Sequence, residues 1–270
     1  MEVKMIYGTA WKKEQTTSLV ELAIKNGFRA IDTACQPKHY NEKLVGVGIE
    51  KALENCHLKR EELFLQTKFT PVDGQDSTNI PYNKDDGIEK QIRTSLQVSK
   101  QNLQTTYLDS LLLHSPLFPF SELLKAWRVF ESFVQNGDVK QIGISNCYDI
   151  NLFKKLYEVA IIKPKVLQNR FYDATSYDKE LRNFCKEKAI AYQSFWSLSA
   201  NPHIVHSKEV LEISKKYQKS AVGIFYRFLT QIGITPLNGT TSNEHMIEDL
   251  DIFSFTLDDV DVKIIEDLLY

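Results

Sequence analysis

The sequence predicts an α/β protein folded as a (β/α)8 TIM barrel, a single domain over residues 1–270. Three observations lead there. Short runs of β-branched and aromatic residues recur along the whole chain, each followed by a longer stretch whose apolar residues have helical spacing. No Pro-, Gly- or Ser-rich linker, internal repeat or low-complexity tract divides the chain. The Gly-rich turn of an open doubly wound sheet is missing, since Gly46-Val47-Gly48 falls inside a helical stretch and Lys51 stands where a third Gly belongs. Parallel strands need crossover helices, and closing the sheet removes the edges that a long open sheet would expose.

The strand runs, in order, are Lys4 to Tyr7, Phe28 to Asp32, Leu63 to Lys68, Leu108 to His114, Val139 to Ser145, Val166 to Gln168, Ile190 to Phe195 and Ile234 to Pro236. Each is short and largely apolar, as strands covered on both faces are. Helical spacing marks Glu14 to Lys25, Asn41 to Asn55, Gly87 to Leu103, Ser121 to Gln135, Asp149 to Glu158, Tyr177 to Lys188 and Ser220 to Gln231. In the first of these Leu19, Leu22 and Ala23 share a face, Gly27 stops the helix, and the strand pattern begins at Ala30 and Ile31. A further helical stretch follows Asn243, and the polar segment from Thr70 to Asp86, with Pro71, Gly74 and Pro81, reads as a loop overhanging one end of the barrel.

Composition narrows the function. Hydrophobic residues make up 43% and charged residues 25%, an ordinary globular balance rather than a disordered one. Lys plus Arg number 33 against 35 Asp plus Glu, so no excess positive charge exists to neutralise phosphates, and nucleic acid is not an expected partner. Cys35, Cys56, Cys147 and Cys185 form no zinc spacing and no dense disulfide framework, which predicts no metal site and a reducing, cytoplasmic setting. Neither a signal-like start nor a long apolar run is present, so no membrane association is expected.

In a parallel barrel the loops after the strands build the active site. The strand ends read Asp32, Lys68, His114, Ser145-Asn146, Gln168 and Phe195, a polar or stacking group each time. Singly, each has an ordinary structural explanation as a cap, a snorkelling lysine or a satisfied core histidine. Together, on one rim, they predict a site. The segment Leu237-Asn238-Gly239-Thr240-Thr241-Ser242-Asn243, ahead of a helix, offers backbone N–H groups and hydroxyls suited to an anion, or forms an ordinary capped loop. Trp11, Phe69, Phe118 and Trp196 lie beside rim positions and are candidate walls of a substrate pocket.

These segments resemble the aldo-keto reductase family over nearly the whole chain. Phe28-Arg29-Ala30-Ile31-Asp32-Thr33-Ala34, Phe64-Leu65-Gln66-Thr67-Lys68 and Tyr107-Leu108-Asp109-Ser110-Leu111-Leu112-Leu113-His114 are similar to the strands carrying that family's catalytic Asp, Lys and His. Gly143-Ile144-Ser145-Asn146 and Gln168-Asn169 stand where it holds a nicotinamide carboxamide, and Phe195 where it stacks an aromatic ring on the nicotinamide. The resemblance implies NADP(H)-dependent reduction of small carbonyl compounds; the sequence leaves the oligomeric state open, with a monomer as the expectation. Within it Asp32, Tyr40, Lys68 and His114 are catalytic, and Ser145, Asn146, Gln168, Phe195, Leu237, Asn238, Thr240, Thr241, Ser242 and His245 bind the cofactor.

Three departures qualify what it implies. The family's Tyr falls five residues after the Asp, but position 37 is Pro, and Tyr40 fits the motif with two residues inserted; His39 is the alternative donor. Leu237 and His245 replace the usual Lys and Arg of the 2′-phosphate site, which leaves NAD(H) as an alternative cofactor. An N-terminal hairpin and a long C-terminal loop are expected to be reduced, which loosens substrate recognition.

The implied chemistry has Tyr40 as proton donor, Lys68 as the cation favouring its phenolate, Asp32 as the partner that keeps Lys68 charged, and His114 as a donor to the carbonyl oxygen. Cys35 and Cys147, beside proposed site residues, could make activity sensitive to oxidation. Two other readings stand beside this one. The barrel could be a catalytically weak nicotinamide-nucleotide sensor or binding module. It could instead be an isomerase or aldolase of phosphorylated substrates using Lys68 for a Schiff base.

Overall fold

In the computed structural model, which describes residues 3–270, eight short strands pair in parallel, each with the next, and the last returns to the first. They are β1 (Ile6–Gly8), β2 (Ala30–Asp32), β3 (Phe64–Phe69), β4 (Leu108–Leu113), β5 (Val139–Ser145), β6 (Val166–Arg170), β7 (Ala191–Phe195) and β8 (Ile234–Asn238). Ile6 pairs with Leu237 and Tyr7 with Asn238, so the ends of the chain close the barrel. The predicted (β/α)8 barrel is the observed fold.

Helices α1 (Thr16–Lys25), α2 (Glu42–Asn55), α3 (Ile88–Asn102), α4 (Phe120–Gln135), α5 (Ile150–Val159) and α6 (Lys179–Glu187) cover the first six crossovers. Four more follow before and after β8: α7 (Pro202–Val205), α8 (Lys208–Tyr217), α9 (Ala221–Gln231) and α10 (Asn243–Asp251), and α11 (Asp259–Asp267) comes last. The sequence pattern missed α7 and α8, although Ser207 caps α8 by accepting from Val210 N, and Val210 and Ile213 are its buried face. It also started α6 early: Ser176, Tyr177 and Asp178 have φ of 49°, 52° and 51°, which keeps the helix from beginning before Lys179. The Gly46-Val47-Gly48 run marks tight helix packing, since a Cβ on Gly48 would stand 2.7 Å from Thr17 O on α1.

Alternation along the strands separates two environments. On β3, Gln66 and Lys68 turn into the barrel, while Leu65 joins the surrounding hydrophobic core and Thr67 donates to Glu42 on α2 at 2.5 Å. On β6, Gln168 points inward and Asn169 outward to Asp178 at 2.7 Å. The loop from Thr70, expected to overhang the rim, contributes no residue to the wall of the cleft there. It packs beside β3, where Tyr82 buries its ring against Phe69, centroids 5.5 Å apart, and donates to Thr70 O at 2.6 Å. Among the described residues no helix is long and apolar enough to cross a membrane, and no group of His, Cys, Asp or Glu is placed to hold a metal.

Candidate active site

A cleft of about 820 Å³ opens at the C-terminal ends of the strands, within the size of cofactor and ligand pockets. Its floor is a polar layer. Asp32, 2% exposed, accepts from Lys68 Nζ at 2.5 Å through one carboxylate oxygen. The other oxygen accepts from the side-chain amides of Gln66 at 2.8 Å and Gln168 at 3.2 Å. Gln193 completes the layer by accepting from Gln66 at 2.7 Å and Gln168 at 2.9 Å. The sequence reading omitted Gln66 and Gln193; their signal was a glutamine at an inward position of an otherwise apolar strand.

Lys68 also donates to Thr33 O at 2.9 Å and is 1% exposed. Burial draws its pKa below the ordinary lysine value, against the raising effect of Asp32. An amine so enclosed does not face the cleft, which removes the ground for the Schiff-base reading. Tyr40 does line the cleft, and Lys68 Nζ lies 5.5 Å from its ring centroid. The two inserted residues are taken up in a tight turn, with His39 N and Tyr40 N both donating to Gln36 O at 3.1 and 3.0 Å. Pro37 and Lys38 are pushed to the surface, and Asn41 still caps α2. His39 is not on the cleft wall but stacks on Trp11, centroids 3.8 Å apart.

The expected lowering of the Tyr40 pKa by Lys68 is not what the site produces. Burial, with the Asp32 carboxylate adding to it, pushes the phenol well above the ordinary tyrosine value. Tyr40 is therefore protonated at neutral pH. His114, its ring 6.2 Å from that of Tyr40, is pushed down to about 3, first by burial and then by Lys68 and His39, and stays neutral. Its Nδ1 is 2.6 Å from Thr70 Oγ1.

Ser145, Asn146, Gln168 and Phe195 all line the cleft. Ser145 Oγ donates to Gln168 O at 2.7 Å, and Asn146, at φ 53°, donates to His114 O at 2.9 Å, so both also brace neighbouring strands. At the far end Leu237, Asn238, Thr240 and His245 line the cleft, while Thr241 and Ser242 are not on its wall. The loop's amides are less free than its composition suggested: Thr240 N donates to Asn238 Oδ1 at 2.6 Å, Ser242 N to Thr240 Oγ1 at 3.1 Å, and His245 N to Ser242 Oγ at 3.3 Å. The cation the sequence reading missed is Lys12, which lines the cleft and donates to Gly239 O. Burial draws its pKa down. Glu248 and Asp249 line the same end, where burial pushes Asp249 up to about 7, with Glu248 raising it and Asn238 and His245 opposing.

Of the four aromatic wall candidates, Trp11 and Trp196 line the cleft, 59% and 52% exposed. Phe69 and Phe118 do not. Phe69 is an outward strand position, 1% exposed, and Phe118 stands on the surface at 74%. Cys35 and Cys147 are buried, and burial pushes both thiols up, which argues against the expected sensitivity to oxidation.

Comparison with known proteins agrees with this geometry. The chain is 32% identical over 255 residues to glyoxal reductase of Bacillus subtilis (strain 168), covering 94% of this chain and 83% of that protein. To the NAD(P)H-dependent D-xylose reductase of Scheffersomyces stipitis it is 28% identical, covering 93% and 86%. The crystal structure of an aldo-keto reductase enzyme from a Medee basin deep-sea metagenome library superposes with a TM-score of 0.83 at 29% identity, over 99% of this chain and 92% of that one. The family model for the aldo/keto reductase family matches residues 4–201, and with the barrel and its cleft this shows that the chain belongs to the aldo/keto reductase family.

Proposed function

We propose that the protein is an NADP(H)-dependent reductase of small aldehydes and ketones, with NAD(H) as the alternative cofactor. The observation that carries this reading is the cluster at the cleft floor, where protonated Tyr40 and neutral His114 face one space beside the buried Lys68–Asp32 pair. The names of the two similar proteins, one a glyoxal reductase and one an NAD(P)H-dependent D-xylose reductase, support both the substrate class and the cofactor.

The cleft fits a nicotinamide dinucleotide. Phe195 offers a ring face for the nicotinamide, and Gln168, whose side-chain amide N–H groups are engaged by Asp32 and Gln193, keeps its Oε1 to accept from a carboxamide. Asn146 lies beside it, and Lys12 with the Asn238–Thr240 turn offers a cation and the Thr240 hydroxyl to the phosphates. When bound, the nicotinamide supplies the hydride for the carbonyl carbon. The chain's own residues manage the proton and the charge. His114 donates a hydrogen bond to the carbonyl oxygen and draws electrons towards it. Tyr40 gives its phenolic proton to the oxygen, because an alkoxide is a stronger base than a phenolate even when the phenol's pKa is raised. The Lys68 ammonium then faces the phenolate left behind, and Asp32 holds that ammonium in place.

Fluorescence titration with NADPH and NADH, followed by a panel of aldehydes, tests the reading. Tyr40→Phe is expected to leave cofactor affinity nearly unchanged and to lower the reduction rate by about 10² to 10⁴. Full activity in Tyr40→Phe with loss in His39→Ala would move the donor to His39. A protein that binds the cofactor and reduces no aldehyde would instead be the binding module.

A further inference from the structure

Resting on the reductase reading, we propose that Thr70 is the positioning residue of His114, its hydroxyl donating to Nδ1 and so holding the ring as the Nε2–H tautomer that faces the cleft. Thr70 follows β3 directly and is 2% exposed, with its Oγ1 2.6 Å from Nδ1. His114 follows β4, and its backbone is held on both sides: its N donates to Phe69 O at 2.9 Å, and its O accepts from Asn146 Nδ2 at 2.9 Å. With the backbone fixed, the open variables of this imidazole are its rotation and which nitrogen carries the proton.

Thr70 decides both. A neutral imidazole has one N–H, and a hydroxyl can donate or accept. Were Nδ1 the protonated atom, the Thr70 proton would be buried without an acceptor, since no other partner for Oγ1 is found among the described residues. Nε2 would then present a lone pair to the carbonyl oxygen, which repels rather than polarises it. With Thr70 as donor, its hydroxyl hydrogen has Nδ1 as acceptor, and the remaining N–H of His114 is left for the cleft that the residue lines. The depressed pKa of about 3 reinforces the point, because a ring that stays neutral can donate from one nitrogen only.

The same reading gives a role to the loop after β3, none of which lines the cleft. Thr70 O accepts from Tyr82 Oη at 2.6 Å and from Gln75 Nε2 at 3.1 Å, and Gln75 Nε2 also donates to Cys35 O at 2.9 Å in the segment after β2. The loop clamps the backbone of Thr70, and Thr70 sets the proton of His114.

The experiment compares ¹⁵N-imidazole spectra of the wild-type protein, Thr70→Val and Thr70→Ser, with the His114 signals identified by their loss in His114→Gln. Expected is the Nε2–H tautomer in wild type and Thr70→Ser, and a shift towards Nδ1–H in Thr70→Val. In steady-state assays Thr70→Val should lower kcat about tenfold at unchanged cofactor Kd, and Thr70→Ser should restore it. An Nδ1–H tautomer in wild type overturns the assignment, a measurement that stands even if Thr70→Val does not fold. An unchanged tautomer and full kcat in a folded Thr70→Val overturns it too. Failure of the wild-type protein to reduce any carbonyl would overturn the reductase reading, while the tautomer measurement, which needs no turnover, would still decide the role of Thr70.

Discussion

A side chain's chemistry here is set less by its type than by what burial does to it. His114 has an ordinary imidazole pKa of about 6.5 when free, and in its site that falls to about 3. The activity profile should therefore show no loss from His114 as pH falls from 8 to 5, and an acid limb of kcat/KM near 6.5 that disappears in His114→Gln would contradict this. The same shift makes a stability prediction. Because the folded value lies below the unfolded one, the unfolded chain binds the extra proton between about pH 3 and 6.5. The stabilisation is complete above 6.5 and is lost as pH falls through that window. Relative to His114→Gln, the wild type should lose up to about 1.4 kcal/mol per pH unit below 6.5, measured by urea unfolding. Taking the difference cancels Asp249 and Glu42, whose raised values act with the opposite sign.

At the level of elements, barrel closure assembles the end of the cleft formed by Lys12 and the loop after β8. Lys12 follows β1 and Gly239 follows β8, 227 positions apart, and parallel pairing of those two strands lays the ammonium on the loop. Tyr7, on β1 itself, donates to Thr240 O at 2.9 Å and ties the same loop down. Lys12→Met keeps the length and apolar stem of the side chain but removes the charge. Loss of a charge-assisted hydrogen bond to a phosphate should weaken NADPH binding about 10- to 100-fold, read by fluorescence titration. An unchanged Kd would take Lys12 out of the phosphate site. The turn from Gln36 to His39 shows the same logic in reverse: an insertion is harmless to Tyr40 because β2 and α2 fix both ends of the loop.

For the molecule as a whole, the shape of the cleft mouth limits the substrates. Of the four aromatic wall candidates only Trp11 and Trp196 line the cleft, each more than half exposed, while Phe69 and Phe118 do not. A small aldehyde needs little more wall than this, but a steroid would leave most of its apolar surface in water. Small aromatic or activated aldehydes should be reduced with higher kcat/KM than any steroid ketone. A steroid reduced more efficiently than every small aldehyde of a panel would show that the wall is more complete than these two rings.

The barrel was legible because alternation of strand and helix patterns is local, and each polar or aromatic strand end from Asp32 to Phe195 could be read from its own run. Tyr40 was legible once an insertion was allowed. What the sequence could not disclose lies in contacts between residues far apart along it. Whether Phe69 faces the cleft or Tyr82, whether Thr240 N is free or bonded to Asn238, and that Lys12 meets Gly239 are all decided by register and closure. The pKa of Tyr40 is of the same kind: the type of residue predicts a phenol at about 10, but only the tertiary structure puts it where burial, with the Asp32 carboxylate adding to it, raises that value.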